Sequence, residues 1–336
     1  MSDTLLPLAD DFDGPDESRW RQLAQAALKG APWERLIART EDGLALSPLY
    51  RESQIATGAD EAGLPGQAPF TRGPHAVRDP FLPWDIRAAF RNADVAVTNQ
   101  EILEDLSRGV SSIELLIAGK TGGVRINDAQ DLKRALDGVM IDLAPVAINA
   151  GARGIEVGAL LAEHFSHCLS PPLKPAFNID PVTSWLLDGA LGDKFEDALH
   201  DSAHFARDAM TQFNGATILR ASGRPAHEAG GGASHELALM LASGVAHMRA
   251  LDAIGVGAEQ AGAAILFTLS VGPDVIAEIA KLRAARALWA RVMHSCGAPP
   301  EARNMRLQAV TSRRMLTRDD PWSNILRTTA ASFAAG

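Results

Sequence analysis

The chain has 336 residues, 46% hydrophobic and 22% charged, the composition of an ordinary globular protein. Its 32 basic and 41 acidic side chains give a net charge of −9, which argues against broad charge-driven nucleic-acid binding. Two cysteines, Cys168 and Cys296, are too few for a disulfide framework, and no stretch reaches the roughly 18 apolar residues of a membrane span. The acidic start MSDTLLPLADDFDG reads as neither a signal peptide nor a basic presequence. The expectation is therefore a cytoplasmic protein without nucleic-acid or membrane partners.

Residues 1–50 read as an N-terminal arm. Asp16 or Ser18 can cap a short helix with Trp20, Leu23 and Ala27 on one face and Gly30 at its end. WERLIARTEDGLALSPLY then reads as extended chain around a turn at Glu41-Asp42-Gly43. Residues 51–83, rich in glycine and proline, read as an ordered loop opening the second domain, 51–336. An arm of this kind buries little by itself and is expected to wrap its own domain or a second subunit.

From Trp84 onward the pattern is regular. Strands are expected at 84–90, 112–118, 141–149, 175–180, 215–222, 264–271 and 305–312, each followed by a helical stretch. Seven apolar strands alternating with helices imply a parallel sheet with right-handed crossovers. Eight such units close a barrel of about 250 residues. The expected fold is thus a (β/α)8 TIM-type barrel lacking its eighth strand, preceded by an extended arm. The competing doubly wound sheet would call for a glycine fingerprint after an early strand, and none is present. In such a barrel the first and seventh strands flank an open seam, and exposed strand edges attract pairing. Dimerisation, or coverage of the seam by the arm, follows.

Candidate chemical motifs are few. GKTGG (119–123) ends like a phosphate loop, but the position that should be glycine is Glu114, inside a strand, leaving a simple glycine turn. His164, His167 and Cys168 cluster at a helix end, and His200 and His204 lie four apart on a helix. Without a carboxylate–histidine zinc motif, both groups read as surface histidines, and no metal site is assigned. HEAGGGASHE (227–236) follows the fifth strand, at what should be the chemically active end of a barrel, where His227 could serve as acid or base. Its ordinary reading is a turn and a late helix start. Arg72 and Arg87 could grip phosphate or carboxylate, or simply bond neighbouring carboxylates. The helix LRAARALWARV (282–292) reads as having one solvated basic face.

GLPGQAPFTRGPH (63–75), PWDIR (83–87), HEAGGGASHELALMLASG (227–244), EIAKLRAARALWA (278–290) and TRDDPWSNILRTT (317–329) together resemble the methylmalonyl-CoA mutase family. The resemblance runs from about residue 20 to the end of the chain. It implies an eight-stranded barrel that threads the pantetheine arm of an acyl-CoA through its axis. It also implies adenosylcobalamin carried on a separate C-terminal domain, with radical chemistry at the barrel mouth. Thr71, Arg72 and Arg87 match the family pattern, and with His227 they are the candidate remnants of a CoA site. The departures are Ala89 for a catalytic tyrosine, Asp85 for threonine, Pro225 for the substrate-contacting histidine, Ala264 and Leu266 for an Arg-x-Ser pair, and Leu82 for a CoA-contacting arginine. Apolar side chains cannot donate hydrogen bonds to a thioester. The pattern is that of the small, non-catalytic subunit of two-chain mutases, whose continuation through an eighth strand and a cobalamin-like domain this chain lacks. It implies no catalytic residue here, no cofactor bound by this chain, and a catalytic mutase subunit as partner, or a homodimer. The alternatives are a divergent acyl-CoA mutase barrel using a cobalamin domain supplied in trans, and a CoA-thioester binding module built on Arg72 and Arg87.

Overall fold

A computed structural model describes residues 16–50, 63–119, 122–167, 173–189 and 195–336. The expectations for the extreme N-terminus, residues 51–62, Lys120, Thr121 and Cys168 lie outside the described residues. The chain divides into two compact units, residues 1–58 and 59–336.

In the first unit, helix α1 (Glu17–Ala27) begins where Asp16 accepts hydrogen bonds from the backbone N–H groups of Ser18 and Arg19, and Gly30 follows its end at φ +88°. No residue of α1 is buried. Trp33 meets Trp20 edge-on at 5.7 Å, under the Arg21 guanidinium. Residues Trp33–Leu36 form a single 3-10 turn, where the sequence pattern suggested extended chain. Strands β1 (Ala38–Arg39) and β2 (Ala45–Leu46) pair antiparallel around the expected turn, with Gly43 at φ +82°.

The second unit is built on seven parallel strands: β3 (Arg87–Phe90), β4 (Ser112–Leu116), β5 (Val146–Asn149), β6 (Ala176–Ile179), β7 (Thr217–Ser222), β8 (Ile265–Val271) and β9 (Arg306–Thr311). They pair strictly in sequence order, so β3 and β9 are the two edges. A doubly wound sheet would reverse its strand order at a switch point. This sheet does not reverse; it curls, bringing Gln308 of β9 within 3.2 Å of Glu114 on β4. It is an incomplete TIM-type barrel.

The crossovers are α2 (Val95–Ser107), α3 (Ala129–Ala135), α4 (Gly154–Ser166), α5 (Pro181–Asp188) with α6 (Phe195–Gln212), α7 (Arg224–Glu228) with α8 (Ala233–Ala253), α9 (Ala258–Ala263), and α10 (Val275–Ser295); α11 (Asn324–Ala335) follows β9. The short helices α5, α7 and α9 are absent from the periodicity because each is under three turns long and carries no stripe of its own. Two strands start later than their apolar runs. Ser111 and Ser112 tie down Asp85 before β3, and residues 140–144 close a helical turn before β5. No described helix is long and apolar enough to cross a membrane.

Side-chain alternation splits each strand into two faces. Ile113, Leu115, Val146, Ile148, Phe177 and Phe267 enter the apolar layer beneath the helices. Glu114, Asn149, Asn178, Arg220, Thr268 and Gln308, on the opposite face, line the barrel axis. The tightest part of the apolar layer is where α8 and α10 cover β8. Trp289 is fully buried with its ring 4.4 Å from that of Phe267. A Cβ on Gly244 would stand 2.9 Å from the Phe267 ring and 3.2 Å from Trp289. Gly244→Ala is therefore expected to lower the unfolding free energy by about 1–3 kcal/mol through overpacking, measured by urea denaturation with the fold monitored by circular dichroism.

Candidate functional site

Two buried polar clusters occupy the barrel. The first crosses its axis. Arg220, 7% exposed, extends inward from the run TILRAS of β7. Its Nε donates to Asp180 Oδ2 at 3.3 Å, its Nη2 donates to Asn149 Oδ1 at 3.2 Å, and its Nη1 lies 3.7 Å from Glu114 Oε1. Gln308 Nε2 donates to the other oxygen of Glu114 at 3.2 Å. One guanidinium thus meets groups from β4, β5 and the end of β6, and through Glu114 it is linked to β9. Asp180 is shared, because its Oδ1 also accepts the Thr183 N–H and so caps α5. Behind β7, the imidazole of His247 on α8 is hydrogen-bonded through Nε2 to the Arg220 carbonyl at 3.0 Å.

The second cluster braces the C-terminal mouth. Glu236 of α8 is fully buried; one carboxylate oxygen accepts the Ser270 N–H, and the other accepts from Lys281 Nζ at 2.9 Å. Lys281 of α10 also pairs with Glu278 at 2.7 Å, and Glu278 accepts the Gly272 N–H at 2.9 Å. His227 of α7 sits above, with Nδ1 3.8 Å from Glu236 and Nε2 hydrogen-bonded to Ser312 Oγ at 2.7 Å. Arg314 donates to the carbonyls of His227 and Gly231 at 3.0 and 3.2 Å. The strand end β7 reaches this cluster through Gly223, where a Cβ would fall 2.3 Å from the Glu236 carbonyl oxygen. Burial holds the His227 imidazole below the ordinary histidine value; Glu236 opposes this and Lys281 adds to it. His247 is depressed for the same first reason.

The four sequence candidates do not converge. Arg87 opens β3, at the N-terminal end of the barrel, whereas His227 stands at the C-terminal end. Arg87 donates to Ser112 Oγ at 3.0 Å and pairs with Asp85 at 3.3 Å, and Asp85 in turn accepts from Ser111 and Ser112 at 2.6 Å each. Arg87 is thus bonded to a neighbouring carboxylate. Thr71 is buried and Arg72 exposed, in the segment before the barrel. In the glycine motif, Gly119 bridges Gly122, and Gly122 and Gly123 have φ of +87° and +136°. Sequence reasoning missed Arg220, Glu114, Asp180, Glu236, Lys281 and Ser312. A signal existed for two of them: Glu114 in SIELLIA and Arg220 in TILRAS are charges inside strand runs, at positions that must face inward.

The methylmalonyl-CoA mutase family model matches residues 39–122 and 117–336. A methylmalonyl-CoA mutase small subunit from Streptomyces virginiae is 36% identical over all of this chain and 54% of its own length. The small subunit from Propionibacterium freudenreichii subsp. shermanii is 31% identical, again over the whole chain and 52% of the relative. Bovine mitochondrial methylmalonyl-CoA mutase is 29% identical over 96% of the chain and 45% of the relative. The chain belongs to the methylmalonyl-CoA mutase family. It spans about half the length of the curated relatives it matches. Within this mutase-family barrel, Ala88 packs toward the helices, so Ala89 faces the axis with a methyl group only.

Both clusters predict measurable behaviour. Lys281→Met strands Glu236 without its cation and should cost about 3–5 kcal/mol in urea unfolding; adding Glu236→Gln should recover part of that loss. Because His227 and His247 are held neutral below the ordinary 6.5, the unfolded chain binds protons that the folded chain refuses. Stability should be complete above that value and fall as pH drops through it. Urea midpoints at pH 7.5 and 5.5 would show the decline, and His227→Gln should make it smaller.

Proposed function

We propose that this barrel is a non-catalytic, small-subunit-type member of its family that supports a separate catalytic, cobalamin-dependent mutase chain. The observation that carries this reading is the Arg220 cluster. Five side chains from β4 to β9 meet where an acyl-CoA's pantetheine arm would have to pass, and Arg220, Glu114 and Asp180 are all at least nine-tenths buried. A threaded ligand would have to displace a paired guanidinium in a low-dielectric interior, which leaves two carboxylates uncompensated.

The mouth supports the same reading. Pro225 in α7 has no proton to give, and His227 is engaged by Ser312 and screened by Arg314. Ala89 carries no ring. The residues at this mouth therefore do not fit the demands of a cobalamin-initiated radical reaction.

The surface supports a partner. Phe81, Trp84, Trp322, Leu326 and Phe333 are each more than half exposed. The end of α11 meets the edge region before β3, where Arg78 donates to the Gly336 carbonyl at 2.6 Å and Trp84 lies against Gly336. Exposed aromatic groups beside open sheet edges are a surface that association would cover. A heterodimer with a catalytic chain is the assembly favoured here, over a homodimer.

The test mixes the purified chain with a cobalamin-loaded catalytic mutase subunit. The expected results are a stable complex by size exclusion, no isomerisation of methylmalonyl-CoA by this chain with added adenosylcobalamin, and no calorimetric signal with CoA thioesters. Turnover by the chain itself would overturn the reading. Tight CoA binding abolished by Arg87→Ala would instead establish the thioester-binding alternative.

A further inference from the structure

We propose that His200 and His204 form a bidentate site for a late first-row divalent metal ion on the outer face of α6. The two residues are one helical turn apart, and their side chains converge: the Nε2 atoms are 3.1 Å apart, with ring centroids at 4.4 Å. Two imidazole nitrogens bound to one metal at about 2.0–2.1 Å stand about 3 Å apart. The observed spacing is that of a hydrogen bond between the two rings and also close to the bite of a chelate, so a metal ion would take the place of the shared proton.

The surroundings favour a cation and set a carboxylate beside the first ring. Asp201 Oδ1 lies 3.5 Å from His200 Nδ1, the side of the ring away from the converging nitrogens. A proton on Nδ1 facing that carboxylate leaves the Nε2 lone pair for a metal, the arrangement in which outer-shell carboxylates orient ligating histidines. Glu196 precedes His200 by one turn and Asp208 follows His204 by one turn, so a carboxylate residue flanks the pair on each side along the helix. Arg207 is already paired with Asp208 at 3.1 Å. The opposite side of α6 is anchored by buried Ser202, Ala203, Ala206 and Ala209, which holds the histidine face outward.

Imidazole ligands select zinc, nickel and copper over magnesium and calcium. Among the described residues no group of three or more histidine, cysteine or acidic side chains is placed to hold a metal. With no third ligand among the described residues, the site argued for is an open, exchangeable two-histidine one, distinct from a buried structural zinc. It lies on the helix layer, apart from the Arg220 and Glu236 clusters, and does not depend on the reading of the barrel axis.

The experiment is isothermal titration of the full chain with Zn2+ and, separately, with Mg2+, alongside His200→Ala, His204→Ala and Asp201→Asn. One Zn2+ per chain is expected, with no Mg2+ signal. Each histidine variant should lose binding at least tenfold while circular dichroism stays unchanged, and Asp201→Asn should weaken it about tenfold. Electron paramagnetic resonance with Cu2+ should report two nitrogen ligands. Zn2+ affinity unaltered in His204→Ala would overturn the site. So would equal binding of Mg2+, which would mean plain attraction to the acidic helix, or one metal shared by two chains.

Discussion

The constraint on which this barrel depends is the pairing of Arg220. A guanidinium cannot lose its proton, so once β7 turns this residue inward its charge must be met inside the barrel. Asp180, Glu114 and Asn149 meet it, and they reach it only if β4, β5 and β6 curve around the same axis. A flat sheet with the same pairing order would carry β4 far from β7. Gln308 extends the requirement to β9 through Glu114. The curl of the open sheet is thus tied across its interior by one cation, in addition to the backbone ladder along its strands.

The mouth repeats this logic one layer up. Glu236 is aimed from α8 at the backbone of β8, and Lys281 crosses from α10 to neutralise it. Gly223 must be glycine because the Glu236 backbone occupies the space of its Cβ. The loop after β7 is thereby pressed onto α8, which leaves His227 a narrow place between Glu236 and Ser312. Its two ring nitrogens are directed at α8 and at the turn after β9, at the C-terminal end of the barrel.

Most of the fold was legible in the sequence because period and punctuation agreed. SIELLIA, PAFNID and AILFTLSV are apolar runs of strand length bounded by turn residues, and all appear as strands within two residues of their expected limits. The misses have physical causes. Trp33–Leu36 became a 3-10 turn through the Trp20–Trp33 contact, which no local pattern encodes. The helix α7 formed in RPAHE, where a proline in the first turn offsets the lack of any apolar stripe. The candidate site was less legible, since its members lie up to 194 residues apart, as Glu114 and Gln308 do. Spacing along the chain says nothing about such a meeting. Arg87 is a related case: Asp85, two residues before it, reads as a lost threonine, and in space it is the carboxylate that pairs with the arginine.

The composition of the axis bears on why the barrel is filled with charge and not with aliphatic side chains. Barrel interiors are dominated by branched apolar residues, and replacing a buried ion cluster with packed hydrophobes is often neutral or stabilising. Here the amide of Asn178 and the hydroxyls of Thr268 and Ser270 are buried on the inward face without a hydrogen-bond partner in the protein. Left unpaired, such a group would cost about 1–3 kcal/mol, so this inward face is a polar lining suited to ordered water. Arg220, with Asp180, Glu114 and Asn149 around it, occupies the axis of a barrel that keeps the fold of its family.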